Sequence, residues 1–271
     1  MSDLSKQSDA LTETTHDQLP STEHNPDAQV EQEAPLVEHL RELRDRIVKA
    51  LVSVVIAFVV LFPFSNTLYS VLADPLMSHM PEGTNMIAID VASPFLIPLK
   101  LTLMVAVMVA IPWVLYQIWA FIAPGLYQSE KRLVMPLVAS STALFYLGVL
   151  FAYFVVFPLV FGFFTSVGPD GVEVSTDIGR YLDFVVLMFF AFGITFEVPI
   201  ATYILIITGV ASVEKLKAAR PYLVVAAFVI GSILTPPDLF SQTLLALPMW
   251  LLFEIGLLAG QHRMKSKEAG V

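Results

Sequence analysis

Long apolar runs alternate with short polar ones along most of this chain, and the lengths of the runs carry the first information. Six apolar segments occupy residues 47–64, 101–123, 133–164, 184–208, 221–234 and 239–260. A helix crosses the roughly 30 Å of bilayer hydrocarbon with about 20 residues. The third segment has length to tilt or protrude, whereas the fifth, held between Arg220 and the Pro236-Pro237 pair, is short. A short span thins the bilayer locally or stays away from lipid; alternatively, the fifth and sixth segments form one re-entrant hairpin. The pattern predicts an all-α integral membrane protein of six transmembrane helices, with a short fifth and sixth. Pro199 predicts a kink in the fourth. Two sizeable loops, about 65–100 and 165–183, are net acidic and rich in Pro and Gly, and the run MIAIDVASPF in the first reads as a path across the membrane surface. Six helices of unequal length do not divide into two matching halves, which weakens an inverted-repeat transporter reading.

Residues 1–34 break the pattern, being Ser, Thr, Asp, Glu and Gln with almost no large apolar residue, a composition that cannot offset the entropy of ordering. The expected organisation is thus a disordered acidic tail at 1–34, a membrane domain at 35–260 and a basic tail at 261–271. Across the 271 residues, 56% are hydrophobic and 14% charged, and the mean hydropathy is +0.73, outside the range of a soluble globular domain. Eight of the 24 acids lie in residues 1–34, so the net charge of −9 largely describes the tail and argues neither for cation nor for nucleic-acid binding. There is no cysteine, hence no disulfide or thiolate chemistry. No basic n-region precedes an apolar core at the N-terminus, so a cleavable signal peptide is not expected.

Lys and Arg in the short loops set sidedness. Twelve of the 15 bases fall on one side, at Arg41, Arg44, Arg46 and Lys49, at Lys131 and Arg132, at Lys215, Lys217 and Arg220, and at Arg263, Lys265 and Lys267. Both termini are therefore expected in the cytoplasm.

Candidate chemistry is sparse. His16, His24, His39, His79 and His262 all lie in the tail or loops, so no metal site sits at membrane depth. Ser140 and Ser141 have no His or Lys at comparable depth to act as a base. No phosphate loop or dinucleotide fingerprint is present. These absences point away from catalysis, metals and cofactors. Glu197 interrupts an apolar segment near its middle, where an ionisable group costs about 2.5–3.5 kcal/mol to insert. Two readings stay open: a neutral carboxyl bonded to a neighbouring helix such as the one carrying Gln242, or a functional group lining a polar recess. The run VEHLRELRDR (37–46) as a helix aligns Leu36, Leu40, Leu43 and Ile47 on one stripe and Glu38, Glu42 and Asp45 opposite, with Arg41, Arg44 and Arg46 able to neutralise them. Glu130 reads as a loop acid beside Lys131 and Arg132, and Asp238 as a turn cap after Thr235-Pro236-Pro237. Gln242, Thr243 and Glu254 suggest that the last helix meets protein more than lipid. Trp113, Trp119 and Trp250 read as interfacial or packing anchors. On these residues alone a receptor for a cationic peptide and a proton-coupled small-molecule transporter using Glu197 are both tenable.

Longer motifs decide between them. HLRELR (39–44), Asp74-Pro75-Leu76, DVASPF (90–95), YQIWAFIAPGLYQSEKR (116–132), FAYFVVFPLVFGFF (151–164), FEVP (196–199), RPY (220–222) and TPPDLFSQTLLALPM (235–249) together resemble the TatC family, the multispanning subunit of the twin-arginine protein translocase, from Val37 to Gly260. The resemblance implies a concave, cupped-hand arrangement of helices in the bacterial cytoplasmic (inner) membrane. It further implies a receptor for twin-arginine signal peptides of folded precursor proteins. Glu42 and Glu130 would bind the two arginines, with Arg44 and Phe121 beside them, and the peptide's apolar region would run toward Glu197. Implied partners are single-span TatA-type and TatB-type subunits docking near Gln242 and Thr243, further copies of the chain, and membrane lipids, with assembly driven by the protonmotive force. Pro75 and Asp238 match outer-face positions of structural or assembly importance. The acidic tail departs from the family pattern and inherits no role.

Overall fold

The computed structural model describes residues 26–77, 87–122, 134–166, 177–234 and 239–268. In chain order the helices are α1 (Pro26–Leu61), α2 (Ser65–Met77), α3 (Ser93–Ile122), α4 (Val134–Phe151), α5 (Phe157–Ser166), α6 (Ile178–Thr195), α7 (Val198–Ile207), α8 (Val213–Ala218), α9 (Arg220–Leu234) and α10 (Leu239–Glu268). A 3₁₀ turn at Phe62–Phe64 joins α1 to α2, and a π-helical turn at Ala152–Val156 joins α4 to α5. Among the described residues there is no strand, only an isolated parallel bridge between Ile87 and Asp177. The chain divides into two units, Met1–Glu42 and Leu43–Val271.

Five stretches are long and apolar enough to cross a membrane: Val37–Val71, Ser93–Ile122, Val134–Phe163, Ile178–Ile207 and Ser241–Ser266; Arg220–Ile233 is a shorter apolar helix. These six coincide with the six apolar runs, and the fifth is short, at 15 residues or about 22 Å. The expectation of a short sixth helix is corrected, since α10 has 30 residues. Its apolar part is limited, but the helix continues through Gln261–Glu268, where Arg263, Lys265 and Lys267 complement the negative end of the helix dipole. Helix α1 starts at Pro26, inside the stretch that composition assigns to the tail. Proline suits a first helical turn, and Ala, Gln and Glu are good helix formers.

Each irregularity in the helices has a local cause. Pro158 offers no N–H to the carbonyl of Phe154, and the widened turn at Ala152–Val156 absorbs the missing bond. Pro199 likewise leaves the carbonyl of Thr195 without its i+4 donor, and the fourth span is cut between α6 and α7 at Phe196–Glu197, as the proline predicts.

In lipid, helix association rests on close packing and interhelical hydrogen bonds more than on hydrophobic burial. The contacts in Leu43–Val271 fit that rule. Gly148 of α4 lies so close to α6 that a Cβ there would stand 2.5 Å from the carbonyl oxygen of Phe192, and Gly193 of α6 lies under the ring of Phe145. This antiparallel register between α4 and α6 runs on toward Ser141 and Glu197. Phe157, Phe192, Leu101 and Met188 fill the adjoining core. Helix α10 meets α7 through Gly256 and Gly260, a small-residue pair four apart, which face Pro199, Thr202 and Ile206.

At the end of the bundle opposite the basic loops, Asp177 caps α6. Its Oδ1 accepts the Arg180 N–H at 2.9 Å and its Oδ2 the Ile89 N–H at 3.3 Å, while the Ile178 N–H donates to the Ile87 carbonyl at 3.0 Å. The backbone N–H of Arg180 leads in holding the Asp177 carboxyl below the usual carboxylate range. Nearby, Lys100 of α3 pairs with Asp183 of α6.

Candidate functional site

Glu197 occupies the break itself. As the N-cap residue of α7 it has helical dihedrals, and its side chain makes no capping bond. Its N–H donates to the carbonyl of Ile194 at 3.0 Å, a tightened i−3 bond, and its carbonyl accepts the Ala201 N–H at 3.0 Å. The carboxyl is therefore turned away from the helix ends and into the protein. One of its oxygens, Oε1, is buried with no hydrogen-bond partner. The side chain that reaches the carboxyl is Ser141 of α4. Ser141 is fully buried, and its Oγ accepts the indole N–H of Trp119 on α3 at 3.1 Å. The neighbouring helix that meets the carboxyl is α4, because the α4–α6 register delivers Ser141 there. Trp119 is correspondingly a buried hydrogen-bond donor and not an interfacial anchor, unlike the more exposed Trp113 and Trp250.

A second polar cluster lies at the basic end. Arg46 Nη1 of α1 donates to Oε1 of Gln117 on α3 at 3.5 Å, and Gln117 is buried. Phe121, half-buried, follows one turn later on α3. Arg44 is exposed and grips the carboxylate of its neighbour Asp45 through Nε and Nη2 at 3.0 and 2.8 Å. Glu42 closes the first unit as a half-buried residue of α1. The apolar stripe of that helix turns outward at Ile47, while Leu43, Arg46 and Ala50 take the more buried side. Glu130 and Asp238 lie outside the described residues; Pro75 belongs to α2.

On the last two helices, Gln242 packs its Cα and Cγ near Gly231 of α9, and the Thr243 hydroxyl donates to the Leu239 carbonyl at 2.6 Å. Arg220, at the start of α9, forms a two-point ion pair with Glu254 of α10, Nη2 to Oε2 at 2.7 Å and Nε to Oε1 at 2.6 Å. Sequence reasoning put Arg220 on the basic side and Glu254 in the last helix without pairing them. Their shared depth was the available signal.

Among the described residues no three His, Cys, Asp or Glu side chains gather as metal ligands. With five full-length apolar crossings, a shorter sixth helix and few intramembrane polar groups, the described architecture defines a polytopic α-helical membrane protein. Residues 38–248 match the family profile of TatC, the Sec-independent protein translocase protein. The chain is 58% identical over 236 residues to the Sec-independent protein translocase protein TatC of Azotobacter chroococcum, covering 86% of this chain and 92% of that one. It is 54% identical over 228 residues to its counterpart in Escherichia coli K12, covering 84% and 88%. A crystal structure described as the twin-arginine translocase receptor TatC superimposes with a TM-score of 0.74 at 40% identity, over 82% of this chain and 98% of that one. The chain belongs to the TatC family. It is a membrane protein of the Sec-independent protein translocase, and these matches lend nothing to the small-molecule transporter reading.

Proposed function

We propose that this chain is the receptor and core subunit of a twin-arginine translocase in the bacterial inner membrane, with both termini in the cytoplasm. It binds the signal peptides of folded precursor proteins at its basic, cytoplasmic end. The observation that carries this reading is the likeness, at 40% identity and over 82% of the chain, to a structure described as the twin-arginine translocase receptor. The chemistry of the site residues supports it. Arginine presents two parallel N–H donors to a carboxylate, a geometry lysine cannot reproduce. Glu42 and Glu130 supply carboxylates for a pair of arginines, Phe121 an apolar wall, and Arg44, held by Asp45, sets the local charge. Glu197 acts later, when single-span TatA-type and TatB-type subunits join through the α9–α10 region near Gln242 and Thr243 and the protonmotive force drives assembly. Pro75 and Asp238 shape the outer face.

Crosslinking of a twin-arginine peptide to the full-length protein in membrane vesicles tests the reading. Glu42→Ala and Glu130→Ala should each weaken capture, and the double variant should abolish it; full capture by the double variant would refute the site. Glu197→Ala should keep capture and lose export.

A further inference from the structure

Glu197 is not an isolated carboxyl in an apolar helix. Three spans contribute to its surroundings: α3 through Trp119, α4 through Ser141, and the α6–α7 break through Glu197 itself. The Trp119 indole N–H has one proton to give and gives it to Ser141 Oγ at 3.1 Å. A hydroxyl whose oxygen already accepts keeps its own proton free to donate, and the group it meets is the Glu197 carboxyl. Oε1 of that carboxyl is buried without a partner. A buried oxygen without a donor has lost the hydrogen bonds that water gave it, so the way the rest of the carboxyl is held decides where it sits.

We propose that Trp119 and Ser141 are positioning residues for Glu197: a donor chain, indole N–H to hydroxyl to carboxyl, fixes the rotamer of the carboxyl at the α6–α7 break. The proposal rests on the functional reading of Glu197 and adds the residues that aim it. It explains why a serine with no catalytic base is fully buried in α4 and why a tryptophan sits inside the protein and not at the membrane interface. Other α3–α4 links do not serve this purpose. The Tyr146 hydroxyl donates to the Met108 carbonyl at 3.0 Å and ties the same two helices elsewhere, which makes it the natural control.

The test uses the full-length protein in lipid nanodiscs. Infrared spectroscopy reads the carboxyl stretch of Glu197, assigned by its disappearance in Glu197→Gln. Trp119→Phe removes only the N–H end of the chain in a ring of similar bulk, and Ser141→Ala removes its middle. Both should shift the Glu197 band, Ser141→Ala more than Trp119→Phe. Ser141→Thr, which keeps the hydroxyl, and Tyr146→Phe should leave it in place. In vesicle export assays Trp119→Phe and Ser141→Ala should lower the rate roughly three- to tenfold, the span expected for one hydrogen bond, with peptide capture unchanged and Tyr146→Phe at the wild-type rate. A Glu197 band that is identical in the wild type, Trp119→Phe and Ser141→Ala overturns the proposal, whatever export does. If the band shifts while Glu197→Ala exports normally, the donor chain stands and the assigned role of Glu197 falls.

Discussion

Substitution of Gly256 by alanine probes a backbone-to-backbone helix contact at the break. A Cβ at Gly256 stands 2.6 Å from the carbonyl oxygen of Pro199, 2.7 Å from its Cα and 2.9 Å from Cβ of Thr202. Carbon atoms in contact prefer about 3.5–4.0 Å, so α10 and α7 must part by close to an ångström. Two of the three atoms are backbone, and no change of rotamer relieves them. Overpacking of this kind costs about 1–3 kcal/mol, from which the gain of alanine over glycine in a helix, about 0.5–1 kcal/mol, is subtracted. A net loss of up to about 2.5 kcal/mol corresponds to a melting temperature lower by up to about 10 °C for a chain of this size. Gly162 is the matched control. Nothing lies within 4 Å of its added Cβ, so Gly162→Ala should gain the helix term alone and melt roughly 1–4 °C higher. Thermal melts of the purified full-length protein, followed by size-exclusion fluorescence, measure both. Gly256→Ala melting at or above the wild type would show that the α7–α10 contact yields, and would refute the reasoning.

Further expectations concern the two polar ends of the bundle. The Arg220–Glu254 pair is partly exposed, with side-chain accessibilities of 43% and 20%, so removing either partner should cost about 1–3 kcal/mol, between the surface and buried limits. Arg220→Glu combined with Glu254→Arg should restore part of the loss in the same melting assay. Asp177 titrates below the usual carboxylate range, with the Arg180 N–H as the leading cause. Its contribution is therefore complete above the unfolded-state value of about 3.9 and is lost as pH falls through the lower native value. The protection of the Ile89 and Arg180 amides, taken relative to intrinsic exchange at each pH, should fall on acidification through that lower native value. Asp177→Ala should show the lowered protection already at neutral pH, with no further acid dependence.

The sixfold apolar pattern, the short fifth helix and the kink at Pro199 were all legible in the sequence, because each follows from local rules: run length against bilayer thickness, and a missing N–H. What could not be read was which spans meet. Glu197 announced itself as an acid at membrane depth, but nothing in the sequence said that Ser141 of α4 would stand against it. The α4–α6 register that decides this is set by Gly148 and Gly193, whose close approach is a tertiary fact. The length of α10 was misjudged for a related reason. Hydropathy measures the part of a helix that lies in lipid, and the basic turns beyond it fold just as well in water. Trp119 shows the same limit from the side of function, since an indole can serve as an anchor at an interface or a donor in a core, and only packing distinguishes them.

The break at Phe196–Glu197 also has a mechanical meaning. Because Gly256 brings the backbone of α10 onto Pro199, the segment beyond the break is not one short helix but two helices, α7 and the later turns of α10, in close contact at the joint. Toward its N-terminus α10 runs back past the joint and packs Leu245 into the core around α6. One continuous helix thus lies against both sides of the break and splints it, so Glu197 sits at a joint that its own span leaves open and a neighbour holds closed.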